Sequence, residues 1–285
     1  MTSRTLLAAL VLALAPALAS AQPADRVKRI KDTRTIAVAH RTDAAPFSFL
    51  DDQKKPVGYS IDLCKRVISQ LETQLGVPGL QVKWVPVTTQ TRFEAVAKGD
   101  ADMECGSSSV TLGRMKQVDF SNYIFMDGTG ILARSELNAR ALADLAGKKI
   151  AAVSGTTNEA ALSKGLKERL VSASVVSVKS REEGIAKLEA KEVDAFVSDN
   201  MLLLGMARQM KDPKAYALVD DPLSMEPYAI VLPRTDPALR IEVNSALARI
   251  YRSQAIGDIY GAWFASLGRP GAVLRAVYGM GAIPE

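Results

Sequence analysis

Histidine and cysteine are scarce in this chain. Its 285 residues hold one histidine, His40, and two cysteines, Cys64 and Cys105. A tetrahedral zinc site draws largely on those two residue types, so so small a supply argues against one. A Cys–His nucleophile pair has no supporting context. Past residue 21 no apolar run is long enough to span a bilayer, so the mature chain is not expected to be membrane-embedded. Nor is there a block of one charge. The formal net charge of +5 comes from 36 basic and 31 acidic residues scattered among one another. With no basic stripe and no interleaved aromatics, nucleic acid is a poor partner. A mildly basic surface helps instead to draw in an anionic solute.

The N-terminus carries the features of an export signal. Arg4 supplies the positive start, 6–18 form a short, proline-interrupted apolar stretch, and Ala19-Ser20-Ala21 makes a small-x-small cleavage site. We expect 1–21 to be a signal peptide cleaved after Ala21; the alternative is a membrane anchor. No lipobox cysteine follows. Cys64 falls on the apolar face of a helix with Ile61, Ile68 and Leu71, and Cys105 ends a strand that this helix could cover. The pair reads as two buried free thiols, with a disulfide as the alternative that export permits.

Strand and helix patterns alternate along the chain. Strands are expected at 35–39, 82–87 and 103–106, and helices at 60–75 and 92–98, with a helical turn at 112–117. The pattern then restarts, with strands at 149–153, 174–178 and 194–197 and helices from Asn158 and over 182–190. A strand at 228–232 and helices at 236–251 and 256–264 close the chain. Short apolar strands separated by amphipathic helices require an α/β fold with parallel sheets.

The most informative stretch is 99–125, GDADMECGSSSVTLGRMKQVDFSNYIF. A strand ends in Ser107, Ser108 and Ser109, and Arg114 follows five residues after Ser109. Small hydroxyls and a nearby guanidinium make a carboxylate receptor, the Arg donating two parallel charge-assisted bonds. Alone, such a pattern would be a polar loop with a solvent-facing Arg. It is not alone: Arg41, Thr89, Ser107 to Ser109, Thr156 to Thr157 and Asp199 all fall at the carboxyl ends of expected strands. In open parallel sheets ligands sit at those ends.

At these residues the chain resembles the periplasmic amino-acid-binding proteins of ABC importers, solute-binding protein family 3. The resemblance runs over about 35–264, through PFSFLDDQKKPVGYSIDL (46–63), GDADMECGSSSVTLGRMKQVDFS (99–121), LADLAGKKIAAVSGTT (142–157) and LEAKEVDAFVSDN (188–200). Within the family it is most similar to the glutamate/aspartate binders, through HRTDAAPFSF (40–49), VPVTTQTR (85–92) and ECGSSS.

The resemblance implies a two-lobed, type II Venus-flytrap α/β fold, each lobe a mostly parallel sheet flanked by helices, joined by two hinge crossovers. It implies a first lobe of 22–128 plus 226–285 and a second of 129–225. It further implies that Arg114, with Ser107 and Ser109, grips a ligand α-carboxylate, and that Thr157 adds a hydroxyl and helix-end amides. Asp199 matches the acid that holds the α-ammonium. Arg41 and Arg92, with Thr89 nearby, match positions that hold a distal carboxylate; their structural alternative is two surface arginines. Two guanidiniums facing one pocket would be left uncompensated by a neutral ligand. The implied partners are L-glutamate or L-aspartate and an inner-membrane permease, with the protein a periplasmic monomer that needs no cofactor.

The chain departs from the subfamily at two positions. Arg181 stands where the subfamily often has His, and an Arg there could strengthen dicarboxylate binding, shift the preference between aspartate and glutamate, or point outward. Ala44 stands where many relatives place an aromatic that stacks on the ligand, which fits a short polar ligand. His40 is expected to be a packed or capping residue, and Glu104 a strand residue close to the cleft. Two other functions fit the pattern. One is a dehydratase-like periplasmic enzyme using Glu104 or Glu159 as acid or base. The other is a ligand-presenting sensory module.

Overall fold

The computed structural model of the protein describes residues 25–284; the expected signal peptide, 1–21, lies outside them. Helix α1 (Arg26–Thr33) leads into β1 (Thr35–His40), where Ile36 to His40 are all buried, as befits a strand covered on both faces. A small three-stranded antiparallel sheet follows, made of β2 (Asp43–Ala44), β3 (Ser48–Leu50) and β4 (Pro56–Val57). Helix α2 (Tyr59–Leu75) buries Ile61, Cys64, Ile68 and Leu71 at helical spacing. It ends at Gly76 in the left-handed region (φ 67°), with the Gly76 and Val77 N–H groups closing on Thr73 and Glu72. Then come β5 (Gln81–Pro86), α3 (Arg92–Lys98) and β6 (Met103–Cys105). Strands β5 and β6 pair parallel to β1 on its two sides.

A second parallel triplet is built the same way. Strand β8 (Lys149–Val153) lies between β9 (Ser174–Val178) and β10 (Ala195–Asp199), parallel to both. The helices between them are α4 (Thr157–Glu168) and α5 (Arg181–Glu189). Each starts on an N-cap hydroxyl, Thr156 and Ser180, that accepts the N–H of a Glu three residues on.

Two long strands join the triplets. Strand β7 (Asp119–Arg134) pairs antiparallel with β11 (Tyr216–Leu232), giving one eight-stranded sheet in the order β5-β1-β6-β11-β7-β10-β8-β9. The sequence reading has crossovers there and a strand only at 228–232. The ribbon escapes that reading because Asp127, Gly128, Gly130, Pro222 and Pro227 interrupt the apolar alternation that marks a strand. Its register breaks between Val219 and Ser224, where the partners step only from Ile131 to Thr129. A bulge of that size bends and twists a ribbon locally.

Helix α6 (Asn200–Ala207) follows β10, and α7 (Pro237–Tyr251), α8 (Ala255–Phe264) and α9 (Ala272–Gly281) follow β11. Helices α1, α6 and α9 are additions to the sequence reading. Neighbouring strand residues point to opposite faces: Ile131, Ile150 and Val197 enter one core, and Leu132, Ala151 and Phe196 another. Around the triplet of β1, β5 and β6, Phe47, Tyr59, Phe125, Tyr228 and Phe264 form an aromatic cluster with ring centroids 4.9 to 6.2 Å apart.

Cys64 and Cys105 are joined in a disulfide, which corrects the expectation of free thiols. Helix α2 lies over β6 closely enough to bring the two Cα atoms within 6.4 Å. Among the described residues no helix is long and apolar enough to cross a membrane.

Candidate functional site

The cleft opens at the carboxyl ends of both parallel triplets. Arg41 directly follows β1 and is 3% exposed. Its backbone N–H donates to Ser48 Oγ at 2.9 Å, its Nη2 donates to Asp43 Oδ1, and its Nε is buried with no partner in the protein. Burial weakens its hold on its proton, and the like charge of Arg181 adds to this against the pull of Asp43 and Glu104. Arg181 opens α5 in the other half. It is buried, not pointing outward; its Nη1 lies 3.3 Å from Asp43 Oδ2, and its Nε is unpartnered as well.

Arg92 opens α3. Its Nε donates to Ser108 Oγ at 2.9 Å and its Nη1 to the Thr89 carbonyl, and Thr89 itself is buried. Burial, reinforced by Arg114, pushes the Arg92 guanidinium down to about 9, with Glu104 opposing. Arg114 lies in the 3-10 turn Arg114–Lys116 and donates to the Ser109 carbonyl at 2.7 Å. One ring serves both groups: the Phe93 centroid is 4.4 Å from Arg92 Cζ and 4.9 Å from Arg114 Cζ. The Ser107 hydroxyl is buried without a partner. Beneath them the Glu104 carboxyl is fully buried, with the Ser108 hydroxyl beside it. Burial raises its pKa against the pull of Arg92. Gly106 makes room for it, since a Cβ there would sit 2.0 Å from Glu104 Oε1.

The facing wall is acidic and hydroxylated. Thr157, the first residue of α4, donates to Glu226 Oε2 at 2.8 Å, and its hydroxyl lies 3.4 Å from Ser109 Oγ across the cleft. Glu226 Oε1 accepts from Thr129 at 3.0 Å and Ser224 at 2.6 Å. Asn158 Nδ2 bridges Thr129 Oγ1 (2.8 Å) and Asp199 Oδ1 (3.2 Å). Asp127 accepts the N–H groups of Gly128 (2.8 Å) and Met201 (3.1 Å) and the Tyr228 hydroxyl (3.3 Å). Burial raises the pKa of Asp199, with Arg181 opposing.

All nine residues singled out in the sequence, Arg41, Thr89, Arg92, Ser107, Ser109, Arg114, Thr157, Arg181 and Asp199, thus come to one cleft. The two arginines Arg41 and Arg92 are buried and are not surface residues. Sequence reasoning missed Asp43, Phe93, Thr129, Asn158, Glu226 and Asp127. Asp43 and Asn158 stand beside named residues and were within reach; Glu226 and Asp127 lie on the ribbon read as crossovers. His40 packs as expected, edge-on to Trp84 at 5.9 Å, with its Nδ1 3.0 Å from the Arg41 carbonyl. Glu159 is occupied near the start of α4, where it accepts from Gly155 N–H and Ser177 Oγ.

Residues 36–266 match the model of the bacterial extracellular solute-binding proteins, family 3. The L-glutamate/L-aspartate-binding protein of Pseudomonas aeruginosa is 36% identical over 239 residues, 84% of this chain and 79% of the relative. The glutamate/aspartate import solute-binding protein of Escherichia coli strain K12 is 33% identical over 262 residues, 90% of this chain and 87% of the relative. Among solved structures, an ancestral arginine-binding protein bound to glutamine superposes with a TM-score of 0.72 at 29% identity, covering 81% of this chain and 97% of that one. The two parallel triplets on one curled sheet are the two lobes of the type II periplasmic-binding-protein fold. The match over most of its length and the likeness to these relatives make this chain a member of the bacterial extracellular solute-binding proteins, family 3.

Proposed function

We propose that this protein captures an acidic amino acid, L-glutamate or L-aspartate, in the periplasm and delivers it to an ABC importer. The observation that carries this reading is the cleft's unspent donor set. Arg41 Nε, Arg181 Nε and Ser107 Oγ are buried without protein partners, alongside Arg92 and Arg114 and opposite Asp199 and Glu226. A neutral ligand would leave buried guanidiniums uncompensated, whereas a second carboxylate compensates them. In this reading Arg114, Ser107, Ser109 and Thr157 hold the α-carboxylate and Asp199 the α-ammonium. Arg41, Arg92 and Thr89, with Arg181 beside them, receive the side-chain carboxylate.

The lobes comprise 22–128 with 226–285, and 129–225, and they rotate about the β7–β11 ribbon. The ribbon's register break and its glycines and prolines support a hinge there. Ligand binding shifts the population toward the closed form that the importer engages. The test is calorimetric titration of refolded protein with L-glutamate, L-aspartate, L-glutamine and L-arginine. Tight binding of the two acidic ligands alone is expected, and binding of only neutral or basic ones would overturn the selectivity. Arg92→Ala should cost acidic ligands about 2–5 kcal/mol, as for a broken buried charge pair, and neutral ligands much less.

A further inference from the structure

We propose that Asp43 is a specificity-determining residue: it bridges Arg41 and Arg181 across the cleft and so fixes at one the number of side-chain negative charges that the closed site accepts. The inference rests on the acidic-amino-acid reading above and deepens it.

Asp43 is held by backbone, opposite Phe49 in the β2–β3 pairing. Its side chain is 10% exposed. Oδ1 accepts from Arg41, in its own lobe, and Oδ2 faces Arg181 Nη1 at 3.3 Å, in the other. The result is an Arg–Asp–Arg bridge. Gln90 Nε2 to the Lys179 carbonyl (3.1 Å), Ser109 to Thr157 (3.4 Å) and Thr157 to Glu226 (2.8 Å) also join the lobes, but none of them pairs two opposite charges. Closing the lobes brings two buried guanidiniums together, and like charges at low dielectric repel strongly. Asp43 supplies the anion that makes the approach tolerable. Its two oxygens are then engaged, and the Nε groups of both arginines remain for a ligand. With Asp43 in place, a ligand need bring one side-chain carboxylate. A side chain carrying two negative charges meets Asp43 as a competitor.

Removing the Asp43 charge should reverse that preference. Asp43→Asn keeps the shape and leaves Arg41 and Arg181 short of one anion. Glutamate affinity should fall by about tenfold, the size of a lost close charge coupling. O-phospho-L-serine, whose phosphate carries nearly two charges at neutral pH, should gain by about tenfold relative to glutamate. Arg181→Gln should act in the opposite sense, weakening phosphoserine more than glutamate. In the double variant the phosphoserine-to-glutamate ratio should return toward wild type, because the bridge has lost one charge of each sign.

The experiment is calorimetry on the four proteins with L-glutamate, L-aspartate, O-phospho-L-serine, L-glutamine and L-arginine, with small-angle scattering of each to read lobe closure. A ratio that moves as described and recovers in the double variant supports the bridge. Equal losses for glutamate and phosphoserine, or a double variant whose ratio stays at that of Asp43→Asn, overturn it. Should Asp43→Asn fail to fold, Arg181→Gln alone decides by the direction of its ratio. A wild type that binds no acidic ligand overturns the broader reading and not the bridge. The bridge is then judged by the coupling of 43 to 181 for whichever of glutamine and arginine binds. Failing any binding, scattering profiles of wild type and Asp43→Asn that superpose overturn the bridge too.

Discussion

The lobe built on β1, β5 and β6 brings Arg41, Arg92 and Arg114 to the cleft, while the lobe built on β8, β9 and β10 and the crossing ribbon bring Asp127, Asp199 and Glu226. Neither wall is neutral by itself. Arg114 loses proton affinity through burial, and the first charges that oppose this are Glu226 and Asp199. A ligand with a carboxylate at one end and an ammonium a bond or two away matches that polarity in one orientation only. The lobes also differ in bracing. The first has the disulfide, the five-ring aromatic cluster and the hydroxyl contacts of Tyr59 with Tyr278 (2.8 Å) and the Ile124 carbonyl (2.7 Å). The second has two smaller apolar cores and, among the described residues, neither a disulfide nor an aromatic cluster. The difference teaches that the lobe presenting the arginines is also the more heavily braced of the two.

The sharpest way to break the charge contrast is to remove its central donor. Arg114→Ala should cost about 2–5 kcal/mol of ligand binding, because it leaves the facing acids and the ligand carboxylate without their cation. Calorimetry reads the loss; an unimpaired variant would detach Arg114 from the ligand. The contrast in bracing is tested by reducing the disulfide. Its ends are 41 residues apart, and closing a loop of that length stabilises by about 4 kcal/mol on the chain-entropy account. Denaturant unfolding with and without reductant should show the first lobe weakened and the second unmoved. A uniform shift would mean that the lobes unfold as one cooperative unit.

Much of this was legible in the sequence, and the parts that were not share a cause. The parallel strands and amphipathic helices announce themselves because burial on a fixed face enforces a period. The arginines and serines at strand ends announce themselves because strand ends in α/β sheets face ligands. The ribbon strands were hidden since half of each lies against polar groups at the cleft, so residues such as Asp127, Thr129 and Glu226 replace the expected apolar ones. The disulfide was hidden because its formation depends on where α2 crosses β6, a tertiary fact. Asp43 reads as an ordinary loop acid until the fold sets Arg181 against it, and that pairing spans 138 residues.

The smallest expected effect concerns the acidic wall. Burial pushes the Asp127 carboxyl up to about 8, with the Asp199 charge adding to it and the Gly128 and Met201 N–H groups opposing. In the unfolded chain an Asp titrates near ~3.9. Between about pH 4 and 8 the folded protein therefore binds more protons than the unfolded chain, and its stability falls as pH rises through that window. The slope is at most about 1.4 kcal/mol per pH unit for one proton. Asp127→Asn keeps the shape and abolishes the titration, so its stability should be flatter between pH 5 and 8 in denaturant unfolding. A ligand ammonium set against Asp127 and Asp199 favours their ionised forms. Glutamate binding at pH 7 should accordingly release protons in the wild type and fewer in Asp127→Asn, measured by calorimetry in buffers of different ionisation enthalpy. Equal release from both would place the ammonium away from this pair and leave the guanidinium wall as the main determinant of orientation.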